Sequence, residues 1–245
     1  MTPYTLGISS GATLGAGIAI KLGLSTIFFG IAAVSFFGFL GALITIFLLI
    51  YLSQFLKHTK QTSLLLLGIA LSLFYSSALM LLFYLGNSIQ NDMLIRFTMG
   101  SLSIIGWNNP ILLAVIATLT TLIIYGYRFE LQLLGVNKES AELKGVNSKK
   151  TTLILLMVTS VGIGVLVSIS GPIGFVGLIV PHMVTKFYPL TIQKRIIKTY
   201  IFGGFFLLFC DTLSRAIHTQ SELPIGIITA IIGGPFFIYL IISAK

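Results

Sequence analysis

The residues that could do chemistry here are few. Asp211 and Arg215 stand four apart near the end of an apolar run. On a helix that spacing lets opposite charges pair. An ionisable residue in an apolar span is a functional candidate by default; mutual neutralisation near lipid headgroups is the alternative reading. Transport driven by protons or sodium ordinarily needs an acid at mid-membrane depth, and no clear one is present. His58, His182 and His218 lie in separate segments without the spacing of a metal-ligand set. There is no G-x-x-x-x-G-K-[ST] phosphate loop, and no Ser-His-Asp set can be drawn. Neither an enzyme nor a cofactor is expected. The stretch from Ser170 to His182 (SGPIGFVGLIVPH) is of another kind. Gly171, Gly174 and Gly177 recur every three residues, and Pro172 and Pro181 lack an amide donor. Irregular backbone at membrane depth is tolerated only inside protein or beside a water-filled cavity. The stretch therefore reads either as a broken helix at a translocation path or as a tight outer turn leading into a short helix.

The elements that must position these residues are membrane spans. Of the 245 residues, 56% are hydrophobic and only 9% charged, against about 25% charged in soluble domains. That excludes a soluble globular enzyme and a disordered or nucleic-acid-binding chain. The runs are continuous, unlike the alternating strands of a barrel. Cys210, the lone cysteine, has no disulfide partner in the chain. Eight apolar runs are read as helical spans: 6–20, 26–52, 64–85, 110–127, 151–169, 173–187, 196–214 and 224–243. With the N-terminus inside, twelve of the fifteen Lys and Arg fall in cytoplasmic loops or ends, and only Lys21, Arg96 and Arg215 fall outside. The positive-inside rule thus places both termini in the cytoplasm and accounts for the net charge of +9. No cleavable signal peptide is read at the start.

The connections carry further signals. Residues 138–144 (KESAELK) have helix-forming composition, and Gly145 follows as a stop. A short amphipathic helix at the cytoplasmic face fits; a plain solvated connector is the alternative. The outer loop 86–109 holds Asp92, Arg96 and Trp107, the last suited to anchor the next span at the interface. Gly7, Gly11, Gly15 and Ala19 form a small-residue stripe, read as close packing between helices of this chain rather than a homodimer contact.

Taken together, these stretches resemble the FecCD-type permeases of bacterial ABC importers for iron–siderophore complexes, haem and vitamin B12. The resemblance runs along nearly the whole chain. It rests on the segment from Thr2 to Ala12, Met99–Leu102 with Trp107, and Leu134–Asn137 through Ala141–Asn147. It rests further on Ser170–His182, Asp211–Arg215, Glu222–Gly226 and Gly234–Phe237. It implies an all-α, polytopic membrane protein of the vitamin B12 permease-like (type II) architecture, one transmembrane domain over residues 1–245. The match starts just before the family's third span, so its first two helices have no counterpart in these residues.

The resemblance also implies partners and roles. A second permease copy or homologue, two cytoplasmic P-loop ATPase subunits and an extracytoplasmic substrate-binding protein would complete the importer in the bacterial plasma membrane. The segment at about residues 129–150 would couple to the ATPase through Leu134, Gly135, Ala141, Leu143, Gly145 and Val146, with Gly145 and the residues around Ala141 forming the turn between two short coupling helices. Arg215 would dock the binding protein. Gly171, Pro172, Gly174, Phe175, Gly177, Pro181 and His182 would form the signature along the translocation path. The loop Lys57–Ser63 matches the region of the cytoplasmic gate. Iron–siderophore is the expected cargo as the commonest one, although haem and cobalamin permeases share these motifs. An ATP-independent secondary transporter and an inactive truncated permease are the competing readings.

Overall fold

The computed structural model describes residues 7–24, 27–28, 31–55, 61–102, 106–187, 191–217 and 223–243. The eight apolar runs each coincide with a helix: α1 (Ile8–Lys21), α2 (Ala33–Phe55), α3 (Gln61–Leu85), α5 (Asn108–Gly126), α8 (Ser148–Ser170), α9 (Val176–Phe187), α10 (Ile192–Ile217) and α11 (Ile225–Ser243). Three further helices fill connections: α4 (Ser88–Met99), α6 (Arg128–Val136) and α7 (Lys138–Leu143). By length and composition α2, α3, α5, α8 and α10 can each cross a bilayer. Helices α1 and α9, with 14 and 12 residues, are shorter than the roughly 20 residues of a full crossing.

Two boundaries differ from expectation. The second run does not start as helix at Thr26. Ile27–Phe28 (β1) and Ile31–Ala32 (β2) pair as a minute antiparallel hairpin, and α2 begins only at Ala33. Branched and aromatic side chains favour strand there. The outer connection 86–109 is not simply a loop, because α4 occupies its first half. Asn87 Oδ1 accepts from the Gln90 amide at 2.9 Å, and Gln90 Oε1 accepts from the Asn87 amide at 3.3 Å. This reciprocal capping box satisfies two otherwise free donors and starts the helix.

The core forms where small residues let helices close. An added Cβ on Gly11 would lie 1.9 Å from Thr45 Oγ1, and one on Gly41 would lie 2.2 Å from Gly11 O. On Gly15 it would lie 2.2 Å from Phe37 O. The backbones of α1 and α2 are therefore in contact, and the glycine stripe serves packing within the chain. Gly7, with φ 76°, turns instead toward Gly68 and Ser72 of α3. Ile8, Ala12, Ala42, Ile46, Leu49 and Val167 fuse α1, α2 and α8 into one apolar core. Within it Thr45 Oγ1 lies 2.8 Å from Gly41 O and 3.1 Å from the Tyr75 hydroxyl, so these two hydroxyls are paired. A second cluster, Cys210, Ile225 and Ile228 with Leu102 and Ile173, joins α10 and α11 to the segments after α4 and α8. Outside these cores large apolar side chains such as Leu73, Phe74, Met80 and Tyr84 of α3 stand exposed. That is the surface of a chain whose solvent is lipid.

Candidate functional site

The signature segment leaves α8 at Ser170 and runs without regular structure to Phe175, where α9 begins to form. Gly171 has φ 70° and ψ 175°, a conformation essentially reserved for glycine. It also has no room for a side chain: a Cβ there would lie 2.3 Å from Phe97 O and 3.0 Å from Gly100 Cα. Gly100 in turn has φ 71°, and its Cβ would lie 2.7 Å from Pro172 O. The Ser101 amide donates to Ser170 O at 2.8 Å, locking the two segments. Gly226, in the first turn of α11, presses on the same place, since its Cβ would lie 2.1 Å from Met99 O. The ends of α4, α8 and the start of α11 thus meet backbone to backbone.

Phe175 is the only non-glycine residue with positive φ among the described residues, at 65°. Its ring fills the notch left by Gly233 of α11, where a Cβ would fall 2.3 Å from the ring. Its carbonyl accepts from the Leu178 and Ile179 amides, both at 2.9 Å, which starts α9. The other signature residues behave differently. Gly174 and Gly177 approach nothing within 4 Å. Pro181 sits inside α9, removing the amide that would bond back toward Gly177. His182 is exposed, with Nδ1 2.9 Å from Leu178 O of its own helix. Between the two readings of the stretch, the geometry is a break of regular helix at Gly171–Phe175 followed by a short helix.

Beside Pro172 lies a cavity of about 130 Å3 lined by Ser9, Ser10 and Thr13 of α1, Tyr75, Ser76 and Leu79 of α3, and Thr98 of α4. Six hydroxyl-bearing residues line it and no charged one does, with Thr13 and Thr98 donating to Ser9 O and Ile95 O of their own helices. Hydroxyls both donate and accept, so the cavity suits water or a neutral polar surface. Sequence reasoning passed over these residues. A signal existed in Ser9 and Thr13, one turn apart on α1 within an otherwise apolar and small-residue helix.

The connection between α5 and α8 is two helices, α6 and α7. Arg128 stands 4.8 Å from the Tyr125 ring centroid and 4.6 Å from that of Phe129, fixing the start of α6 beneath α5. Ala141 is fully buried, whereas Leu143 is 90% exposed. Leu134 is half-buried, and Gly135 is exposed near Ile192 of α10. The chain stops α7 at Gly145, whose φ is 81°, and the Val146 amide donates back to Ala141 O at 3.0 Å. The expected short helix and its glycine stop are both present. The expected turn is misplaced: the two helices break at Asn137, which is extended (φ −160°, ψ 138°), and Gly145 instead separates α7 from α8. A single extended residue suffices to break the helix, while the left-handed glycine closes the second. Asn147 then caps α8 by accepting from the Lys150 amide at 3.0 Å.

Arg215, in the last turn of α10, donates from Nε to Asp211 Oδ2 at 2.9 Å, the i, i+4 pair anticipated from the spacing. Ser214 beside it donates to Leu223 O, tying α10 to the start of α11. A second such pair, Arg96 Nε to Asp92 Oδ2 at 3.0 Å, lies exposed on α4. Trp107 is 81% exposed at the start of α5, as an interfacial anchor would be. His58, His218, Glu222, residues 57–60 of the gate-like loop and 2–6 of the first motif lie outside the described residues.

Comparison with known proteins agrees with this arrangement. The sequence profile of the FecCD transport family matches residues 1–243. A probable iron chelatin transport system permease of Helicobacter pylori is 30% identical over 99% of this chain and 72% of the relative. The hemin transport system permease of Yersinia pestis is 31% identical over 99% of this chain and 73% of its own length. A cobalamin import permease of Halobacterium salinarum is 35% identical over 98% of this chain and 63% of its own. A solved structure described as an inward-facing metal-chelate type ABC transporter superposes with a TM-score of 0.88 at 26% identity, over 99% of this chain and 76% of that one. Motifs, helix order and relatives converge, and the chain belongs to the FecCD transport family.

Proposed function

We propose that this chain is the permease subunit of an ABC importer that carries an iron–siderophore complex into the cytoplasm. FecCD permeases are transport subunits rather than enzymes, and ATP is hydrolysed in a partner subunit. The observation that carries the reading is the α6–α7 pair, which packs beside α5, α8 and α10, buries Ala141 and leaves Leu143 exposed. An exposed apolar residue on a short helix suits a cleft on another protein. On this reading α6 and α7, with Leu134, Gly135, Ala141, Leu143, Gly145 and Val146, receive the ATPase motion. Arg215 and its Asp211 partner meet the binding protein at the outer face. A second permease completes the path along α3 and the signature segment, and both termini lie in the cytoplasm of the plasma membrane. Haem and cobalamin carriers among the relatives make the chelate the finer part of the proposal.

The test is a mild-detergent pull-down of the tagged protein from native membranes, with partners identified by mass spectrometry, alongside uptake of radiolabelled ferric siderophore, haem and cobalamin. The reading expects a P-loop ATPase in the wild-type preparation, its loss with Leu143→Asp, and uptake of the ferric siderophore. Uptake driven by an ion gradient in ATPase-free liposomes would overturn it.

A further inference from the structure

A different site lies between α5 and α10. Thr121 and Ile124 of α5 face Arg195, Ile196, Thr199 and Tyr200 of α10 across a groove of about 290 Å3. Helix α5 buries none of its residues, so the two helices leave the groove open rather than sealing it. Arg195 stands in the first turn of α10, at the end of a 26-residue helix. That position is headgroup depth for any helix crossing the bilayer. It is exposed and makes no ion pair among the described residues. Lys194 precedes it and Lys198 follows one turn on, and no acidic residue lies between Thr191 and Thr199. The start of α10 adds the positive end of its helix dipole. Beside Arg195 the lining is apolar at Ile196 and at Ile124 near the end of α5, and about one turn deeper Thr121, Thr199 and Tyr200 bring hydroxyls and a ring with a polar tip of the sort found at membrane interfaces.

We propose that this groove seats an anionic phospholipid, its phosphate held by the Arg195 guanidinium and the Thr199 hydroxyl, its upper acyl chain along Ile196 and Tyr200. The guanidinium fork matches two phosphate oxygens at once, which a zwitterionic lipid answers less well because its own cation competes. A basic pocket between spanning helices is the usual form of such recognition. The orientation under Proposed function decides only which leaflet supplies the lipid, and symmetric nanodiscs remove that dependence.

The test is native mass spectrometry of the full chain released from nanodiscs of equal phosphatidylglycerol and phosphatidylcholine. Wild type should retain phosphatidylglycerol selectively. Arg195→Gln should cut the ratio of the two retained lipids about five-fold, the factor expected of one interfacial cation, and Arg195→Lys should restore part of it. Lys150→Gln, a charge change on α8, should leave the ratio unaltered. Thr199→Leu, which fills the groove without touching the charge, should also lower phosphatidylglycerol retention. Equal retention of both lipids, an unchanged ratio in Arg195→Gln, displacement of the lipid by inorganic phosphate alone, or cross-linking of a protein segment into the groove from a photoreactive residue at Thr121 would each overturn the proposal.

Discussion

Substituting Gly171 by alanine tests whether the signature glycine acts through its backbone geometry. Alanine meets two costs there. The φ 70°, ψ 175° conformation is one that L-residues avoid, at about 1–3 kcal/mol. The new methyl would also sit 2.3 Å from Phe97 O, and backbone cannot rotate aside as a side chain can, so overpacking adds about 1–3 kcal/mol more. The total, roughly 2–6 kcal/mol, is a large share of the 5–15 kcal/mol by which folded proteins exceed their unfolded states. At about 2–4 °C per kcal/mol for chains of this size, the midpoint of thermal unfolding should fall by at least about 4 °C. Gly174→Ala is the matched control, three residues away in the same segment, with nothing within 4 Å of its added Cβ. It should not lower the midpoint, because alanine at a site with open space and no left-handed φ stabilises by about 0.4–1 kcal/mol through the unfolded chain. The assay is thermal unfolding in detergent, followed by the loss of the monodisperse chromatographic peak. A silent Gly171→Ala, or a Gly174→Ala that is equally damaging, would refute the reasoning from backbone contact.

Other outcomes follow from the same geometry. Gly233→Ala should displace the Phe175 ring and destabilise the fold, while Gly234→Ala, beside open space, should not; the same thermal assay separates them. Asn147→Ala should cost about 1 kcal/mol by removing the cap of α8, read as a proportionate drop in unfolding midpoint. Asp92→Asn breaks an ion pair that is exposed on both sides and should leave stability within about 1 kcal/mol of wild type. Arg215→Glu should leave the fold and ATPase recovery intact but weaken capture by the binding protein, measured by surface plasmon resonance on nanodisc-embedded complex.

The spans were legible in the sequence because a continuous apolar run long enough to cross a bilayer has too few polar side chains to face water. The Asp211–Arg215 pair and the stop at Gly145 were legible because both depend on local spacing alone. Helix α4 escaped because it is not apolar. Its Asn87–Gln90 capping box was present in the sequence, but a search for spans does not weigh it. The turn between the two short helices is at Asn137 and not at the expected Gly145, since both residues end helices and only the backbone shows which lies between α6 and α7. The partners of Gly171 were beyond reach for a different reason. Spacing marks a glycine that must stay small, yet Phe97 and Gly100 come to it from some seventy residues away through tertiary packing.

The meeting of α4, α8 and α11 at Gly100, Gly171 and Gly226 has a mechanical consequence. Contacts between side chains can slip, because rotamers exchange at little cost. Contacts between main chains cannot, because each atom is fixed by the helix or strand geometry it belongs to. The three helix ends therefore form one stiff node, at which α4, α8 and α11 move together and do not slide past one another. Compliance has to lie elsewhere. The hydroxyl-lined cavity next to Pro172 offers it, since its polar walls can part and take up water without stranding an unpaired donor. The junction is in this sense a rigid joint set beside a wettable seam.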